Sequence, residues 1–281
     1  MTVPRITVHT LVRNESRWIW FALMSIINYV DEIMVWDTGS TDDTVAVIKS
    51  ISDPKLHFQE VGEVTPESFT LMHNRMLRQT HTDWMLILDG DEIWPFPVIS
   101  SLVTAIRSQG GNFDFFVCHH YDLLGDVYHY QEETGGQYQI GEYSGQFSIR
   151  AVNLARLPGL HFCKPHGQIG LFTADGPLLQ DLPTAAYKLL PGSYFHATHL
   201  VRSSSLNLDL QVIKRSSKYK YELGLAFPQD FSYTEVFYLP RPRLVPSPWV
   251  RRSFGYTLNA LWQTPLKIAK RRLLATPKSG Y

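Results

Sequence analysis

The segment Trp84-Met85-Leu86-Ile87-Leu88-Asp89-Gly90-Asp91-Glu92 runs an apolar stretch into three carboxylates. In an α/β protein, a buried parallel strand ends this way when it delivers acidic groups to the mouth of its sheet. Carboxylates grouped there can hold a divalent cation against the phosphates of a nucleotide. The competing reading is a charged turn after a core strand, and Asp89 and Asp91 alone do not separate the two.

The elements that must position these acids follow from periodicity. Strands are expected at Ile6–Val12, Asp31–Trp36, Lys55–Val61 and Trp84–Leu88, and helices at Trp18–Ile27, Asp42–Ile51 and Phe69–Gln79, with Thr41 or Asp42 capping the second helix. This β-α-β-α-β-α-β order with short links predicts an α/β fold, a mostly parallel central sheet flanked by helices. Pro95 and Pro97 interrupt the chain after the acids. A helix over Val98–Ser108 and strands over Phe113–Tyr121 and Gln146–Asn153 are expected next. Gly125–Ser144, rich in Tyr, His, Glu and Gly without a period, reads as a working loop or hairpin over the site.

Composition narrows the function classes. The 281 residues are 44% hydrophobic, enough to bury a sizeable core, and 26 basic residues balance 26 acidic ones. That balance argues against a nucleic-acid partner. Cys118 and Cys163 form neither a metal-spaced pair nor a disulfide framework, which fits a reducing, cytoplasmic setting. The amino-terminal residues read as a short strand and not as a signal peptide, and no window approaches the apolar length of a membrane span.

The carboxyl-terminal segment differs in character. Leu239-Pro240-Arg241-Pro242-Arg243 and Pro246-Ser247-Pro248 read as a stiff basic linker, and Ser253–Leu274 as a helix kinked at Pro265. Phe254, Leu258, Leu261, Trp262, Leu266 and Ile268 beside Lys267, Lys270, Arg271 and Arg272 make that helix basic and amphipathic. This pattern suits an anionic membrane surface, which would place the protein peripherally on the inner face of the cell membrane. Docking on the domain itself, or on a partner subunit in a homo-oligomer, is the alternative. The expected organisation is therefore a catalytic domain over 1–238, with halves 1–97 and 98–238, and an extension over 239–281.

Four segments together resemble the family-2 sugar transferases of the glycosyltransferase-A type. They are Leu11-Val12-Arg13-Asn14-Glu15, Val35-Trp36-Asp37-Thr38-Gly39-Ser40-Thr41-Asp42-Asp43-Thr44, His73-Asn74-Arg75 and Leu88-Asp89-Gly90-Asp91-Glu92. Their order, strand end, strand end, helix and strand end, carries the likeness across roughly the first hundred residues. A more distant likeness over Ser148–Leu223 is to the lipopolysaccharide-core sugar transferase branch, with Arg150 and His199 at matching positions. Where that branch has His-Glu, this chain reads Pro165-His166-Gly167, so the usual candidate for the catalytic base is absent.

The resemblance implies a metal-dependent transferase (Mn²⁺ or Mg²⁺) that moves a sugar from a nucleoside-diphosphate sugar, UDP or dTDP type favoured, to a hydroxyl of a glycan or lipid-linked saccharide. Such a metal acts as a Lewis acid on the diphosphate oxygens. Asp91 is the best direct metal ligand. The resemblance gives Asp89 to the ribose or, through water, to the metal, and Glu92 to an orienting role. His199 would complete the metal shell, with His196 competing; in a regular strand the two rings would face opposite sides. Thr10, Leu11, Arg13 and Glu15 would line the nucleotide pocket with Asp37, Asn74, Arg75 and Gly90. For Arg13 and Arg75 an ordinary ion pair or a solvated helix face is the competing reading. His166, Asp181 and Glu142 are the candidates for the base, the first because neutral imidazole accepts a proton near pH 7. Two other classes remain: a nucleotidyltransferase acting on a sugar phosphate, disfavoured because Leu11–Glu15 lacks glycine, and a non-catalytic nucleotide-sugar-binding module.

Overall fold

The structure, a computed structural model, describes residues 3–135, 138–166, 168–274 and 278–279. The central sheet contains β1 (Ile6–Val12), β2 (Glu32–Asp37), β3 (Leu56–Glu60), β4 (Trp84–Ile87), β5 (Glu92–Ile93), β6 (Phe115–Asp122), β7 (Phe147–Asn153) and β8 (Tyr187–His196). Their spatial order is β3-β2-β1-β4-β7-β6-β8-β5. β1 pairs parallel with β2 and β4, β2 with β3, and β8 with β6. β7 runs antiparallel to β4 and β6, and β5 antiparallel to β8. The sheet is therefore largely parallel, as expected, with antiparallel insertions in its second half.

The apolar run of β4 is continuous because both faces of the strand are covered. Trp84, Leu86 and Leu88 point into a core shared with Phe21, Ile99 and Leu102. Met85 and Ile87 point into a second core with Phe115, Phe147 and Phe162. The first core is closed by α1 (Ile19–Ile26) and α4 (Phe96–Gln109), while α2 (Thr44–Lys49) follows β2 and α3 (Pro66–Gln79) packs beside β1. Each fully buried aliphatic or aromatic side chain contributes roughly 1.5–3 kcal/mol, so the acids at the end of β4 stand on rigid ground.

Helix boundaries shift where capping chemistry decides. α3 starts at Pro66 and not at Phe69, because Thr65 Oγ1 accepts from the Ser68 amide (3.3 Å) while Ser68 Oγ accepts from the Thr65 amide (2.8 Å). α4 starts at Phe96, with Pro97 in the first turn where no amide donor is needed. The expected loop over 125–144 carries short strands at His129–Tyr130 and Tyr138–Ile140, the latter pairing with Tyr143–Gly145 as a hairpin.

After the short α5 (Leu206–Leu210), α6 (Phe254–Leu274) runs through Pro265 without a break. Its inner side grips residues 220–223. The Tyr256 hydroxyl donates to the Lys220 carbonyl (2.8 Å), Thr264 Oγ1 accepts from the Leu223 amide (2.9 Å), and Arg271 pairs with Glu222 (2.6 Å). Leu258, Leu261, Trp262 and Leu266 are exposed on the other side. Among the described residues, no helix is long and apolar enough to cross a membrane.

Candidate active site

Three strand ends meet beside the tip of β4. The Glu92 amide donates to the Asp89 carbonyl (3.1 Å), which folds the chain back so that Glu92 opens β5. Glu92 then stands opposite His196 at the end of β8, and His196 stands opposite Asp122 at the end of β6. Asp91, on the turn, is fully buried, and its carbonyl accepts from the Ala197 amide (2.9 Å). Its Oδ2 lies 2.6 Å from Arg202 Nη1 and 3.6 Å from His196 Nε2. These are charge contacts: both Asp91 carboxylate oxygens lack an aligned hydrogen-bond donor among the described residues.

The two histidines of Tyr194–His199 do not face opposite sides. β8 stops at His196, and the turn that follows carries His199 to the same carboxylate. His196 Nδ1 is 3.1 Å from Asp122 Oδ1, and His199 Nε2 is 3.6 Å from Asp122 Oδ2. His199 Nδ1 lies 2.6 Å from the Lys218 carbonyl, which fixes the proton on that nitrogen and leaves Nε2 its lone pair. Arg150 arrives by a different device. The register between β7 and β6 slips between Ile149 and Ala151, so Arg150 is the extra residue of a bulge. Its guanidinium bonds Glu92 and donates to the Tyr194 hydroxyl (2.9 Å), with Asp89 at 3.5 Å.

Burial and pairing split the charges of this cluster. Burial raises Glu15 to about 8 despite Arg202 and Arg215, and raises Glu92 to about 7 despite Arg150. Burial alone would raise Asp91 as well, but Arg202 and His196 beside it hold it down to about 2. Burial would lower His196, yet Asp91 and Asp122 keep it protonated, up to about 9. His166 is lowered by burial and by Lys214, so its imidazole is neutral at pH 7.

A cavity of about 490 Å³ opens over the acids. Leu11, Arg13, Glu15, Asp89, Gly90 and Asp91 line it together with His166 and His196. Gly90 is required by close approach: a Cβ there would lie 2.9 Å from Glu15 Cγ and 3.0 Å from Val12 Cγ1. Arg13 pairs with Glu63 (2.7 Å) at the rim. Other expected residues stand away from the cavity. Thr10 is buried in β1, and Asp37 caps its own turn, accepting from the Gly39 and Ser40 amides (3.0 and 2.9 Å). Asn74 clamps Phe162 through both its backbone amide and carbonyl (2.8 Å each), and Arg75 lies over the Trp36 ring. Glu142 is exposed on the hairpin turn and Asp181 on a 3₁₀ turn; His199 lies buried behind His196. Gly167 lies outside the described residues.

Sequence reasoning missed Asp122 and His120, although an acid at a strand end was the same signal that picked out Asp91. It missed Arg202, Lys214 and Arg215, which come from irregular chain after β8 and carry no periodic signature. For a divalent cation the donors fit. Asp89, Glu92 and His196, and likewise His120, Asp122 and His196, bring ligand atoms within 4.8 Å of one another. The buried carboxylate of Asp91, paired with Arg202, and Nε2 of His199, 3.6 Å from Asp122, lie beside that set. The carboxylate oxygens suit Mn²⁺ or Mg²⁺, while imidazole suits Mn²⁺ less than oxygen ligands do.

Comparison with known proteins identifies the family. The profile described as glycosyl transferase family 2 matches residues 7–175. A TPR repeat-containing protein of Synechococcus elongatus is 30% identical over 107 residues, which are 38% of this chain and 24% of that protein. The prophage-derived glycosyltransferase SunS of Bacillus subtilis is 30% identical over 92 residues, 32% of this chain and 21% of that protein. The chain thus spans about a quarter or less of the length of these two relatives. The crystal structure of S. aureus TarS 1–349 is similar with a TM-score of 0.48 at 13% identity, covering 69% of this chain and 60% of that one.

Proposed function

Since the chain belongs to glycosyl transferase family 2, we propose that it is a metal-dependent transferase moving a sugar from a nucleoside-diphosphate sugar, of UDP or dTDP type, to a hydroxyl acceptor. The observation that carries this reading is the fully buried Asp91 carboxylate, held by the charges of Arg202 and His196, in a cavity that Leu11, Arg13 and Glu15 also line. Asp91, with Asp89 and with His196 or His199, would hold a divalent cation, whose chemistry is Lewis-acid stabilisation of the departing diphosphate. Leu11, Arg13 and Glu15 wall the nucleotide, while Thr10, Asp37, Asn74 and Arg75 contribute only if the bound nucleotide extends beyond the cavity lining.

His166 takes the acceptor proton. It is neutral at pH 7, lines the cavity together with the acids, and is held by its amide to the Pro66 carbonyl (2.9 Å) and by Lys214 Nζ to its own carbonyl (2.7 Å). Asp181 and Glu142, exposed and off the cavity wall, serve only if the acceptor reaches over the rim. Direct displacement with His166 opposite the donor inverts the anomeric centre. Residues 1–238 form the catalytic unit and 239–281 its extension, and the kinship within the family is to the lipopolysaccharide-core branch.

The acceptor is a glycan or lipid-linked saccharide met at the inner face of a membrane. What supports this is the extension's charge. Residues 236–281 hold nine Lys or Arg and no Asp or Glu, while the chain as a whole is neutral. Beside those charges lies the exposed apolar side of α6. The deciding experiment is a thermal-shift screen of nucleoside-diphosphate sugars with and without Mn²⁺, followed by product NMR. Stabilisation by one sugar nucleotide that Asp91→Asn abolishes, with an inverted anomeric coupling, supports the reading. No stabilisation by any of them in folded protein rejects it.

A further inference from the structure

Two arginines from the chain after β8 reach the acids, and they are held very differently. Arg215 is braced through both terminal nitrogens, although its Nε, like that of Arg202, is buried without a partner: Nη1 donates to the Asn14 carbonyl (2.6 Å) and to Asp209 (3.0 Å), and Nη2 to the Arg13 carbonyl (2.9 Å) and to Glu15 (2.5 Å). Arg202 is pinned only through its main chain, its amide to Asp209 (3.3 Å) and its carbonyl to the Arg17 amide (2.9 Å). Its guanidinium rests on Asp91 at 2.6 Å and Glu15 at 3.4 Å, its Nε is buried without a partner, and it lines the cavity. Arg215 is a strut, whereas Arg202 is a counter-cation at the cavity wall.

That cation sits on the carboxylate best placed to bind a metal. A divalent ion at the buried Asp91 and a guanidinium 2.6 Å from the same oxygen would repel strongly. A diphosphate entering the cavity offers the guanidinium a planar, bidentate acceptor in exchange. The geometry points to Arg202 as a positioning residue that competes with the metal: it holds Asp91 while the site is empty and trades Asp91 for the donor's diphosphate when cation and nucleotide enter together. This deepens, and rests on, the transferase reading. Its consequence is that metal alone binds weakly and that the nucleotide's gain in metal affinity depends on Arg202.

The test measures Mn²⁺ affinity of the full chain by electron paramagnetic resonance of the free ion, without nucleotide and with saturating UDP, GDP or dTDP. Arg202→Gln is expected to bind Mn²⁺ alone at least about tenfold more tightly than wild type, and to lose most of the further tightening that nucleotide brings. Unchanged or weaker binding of Mn²⁺ alone by folded Arg202→Gln overturns the proposal. Should that variant fail to fold, a crystal structure of the wild-type chain with UDP and Mn²⁺ decides. Arg202 bonded to phosphate and parted from Asp91 supports the exchange, and Arg202 still paired to Asp91 refutes it. If no nucleoside diphosphate binds, the transferase reading fails, while the Mn²⁺ comparison still judges Arg202.

Discussion

Asp122 and His196 stand directly opposite one another on β6 and β8, with Oδ1 3.1 Å from Nδ1, and Asp91 faces the other ring nitrogen at 3.6 Å. An imidazolium between two buried carboxylates holds three elements together: β6, β8 and the turn after β4. The pair also sets a pH dependence. Burial works against the charge on His196, but the two acids lift it to about 9, above the unfolded value near 6.5. A raised histidine contributes stability that is fully present below pH 6.5 and is lost as pH rises through 9. The shift corresponds to about 3 kcal/mol at most. Urea unfolding of chelator-treated protein at pH 6 and pH 9.5 should therefore show a larger drop for wild type than for His196→Gln. Equal drops would remove His196 from this role.

Arg150 and Glu92 form the second buried pair, and here the prediction concerns coupling. Measured at pH 9, where Glu92 is ionised beside Arg150, Arg150→Met leaves that carboxylate buried without its cation, a loss of up to about 3–5 kcal/mol for a pair so enclosed. Adding Glu92→Gln removes the stranded charge. The double variant should be more stable than Arg150→Met alone, with a coupling energy of at least about 1 kcal/mol in a double-mutant cycle. Additive losses would mean that the two side chains act independently.

Gly90 separates the two aspartates, and its role is spatial. A methyl group there meets Glu15 Cγ at 2.9 Å and Val12 Cγ1 at 3.0 Å, so Gly90→Ala must push the Leu11–Glu15 strand end away from the acids. The expected cost is about 1–3 kcal/mol, with weaker nucleotide binding because one cavity wall moves. Gly111→Ala, where the added atom meets nothing within 4 Å, is the control and should leave both quantities unchanged. Calorimetric melting and nucleotide titration of the two variants compare them directly, and equal behaviour would refute the steric account.

Much of this arrangement is legible in the residues because it rests on local rules. The β4 run followed by three acids marks a strand covered on both faces, and Leu11–Glu15 ends a neighbouring parallel strand at the same sheet edge. Asn74 has a structural task that the sequence alone does not show: its side-chain amide bonds the Phe162 backbone, holding the strand His161–Cys163 against α3. Arg202 and Arg215 were invisible for a physical reason. They lie in turns without period, and only the folded chain reveals that residues some two hundred positions apart, such as Glu15 and Arg215, share a charge. His196 and His199 would face opposite sides in a regular strand, but pairing stops at His196 and the following turn brings His199 to Asp122 beside it.

The last prediction concerns α6. Phe254, Leu258, Leu261, Trp262, Leu266 and Leu273 recur at helical spacing and all are exposed, while Tyr256 and Ala260 on the opposite side are buried against the domain. A helix that turns its apolar side to water has that side free for another surface. Exposed Arg241, Arg243, Arg251 and Lys270 give the same segment a positive edge without any neighbouring acid in the sequence from 236 onward. Each basic residue near an anionic bilayer contributes about 1 kcal/mol, and salt screens that attraction within a Debye length of about 8 Å. The chain should therefore sediment with vesicles containing phosphatidylglycerol, much less with pure phosphatidylcholine, and less again in high salt. Leu261→Asp with Trp262→Asp should reduce sedimentation at least about tenfold while leaving the melting temperature within a degree or two, since both side chains are already outside the core. Sedimentation unaltered by the two aspartates would show that the apolar side of α6 does not meet lipid, and a concentration-dependent rise in mass in the wild type alone would assign it to a second copy of the chain.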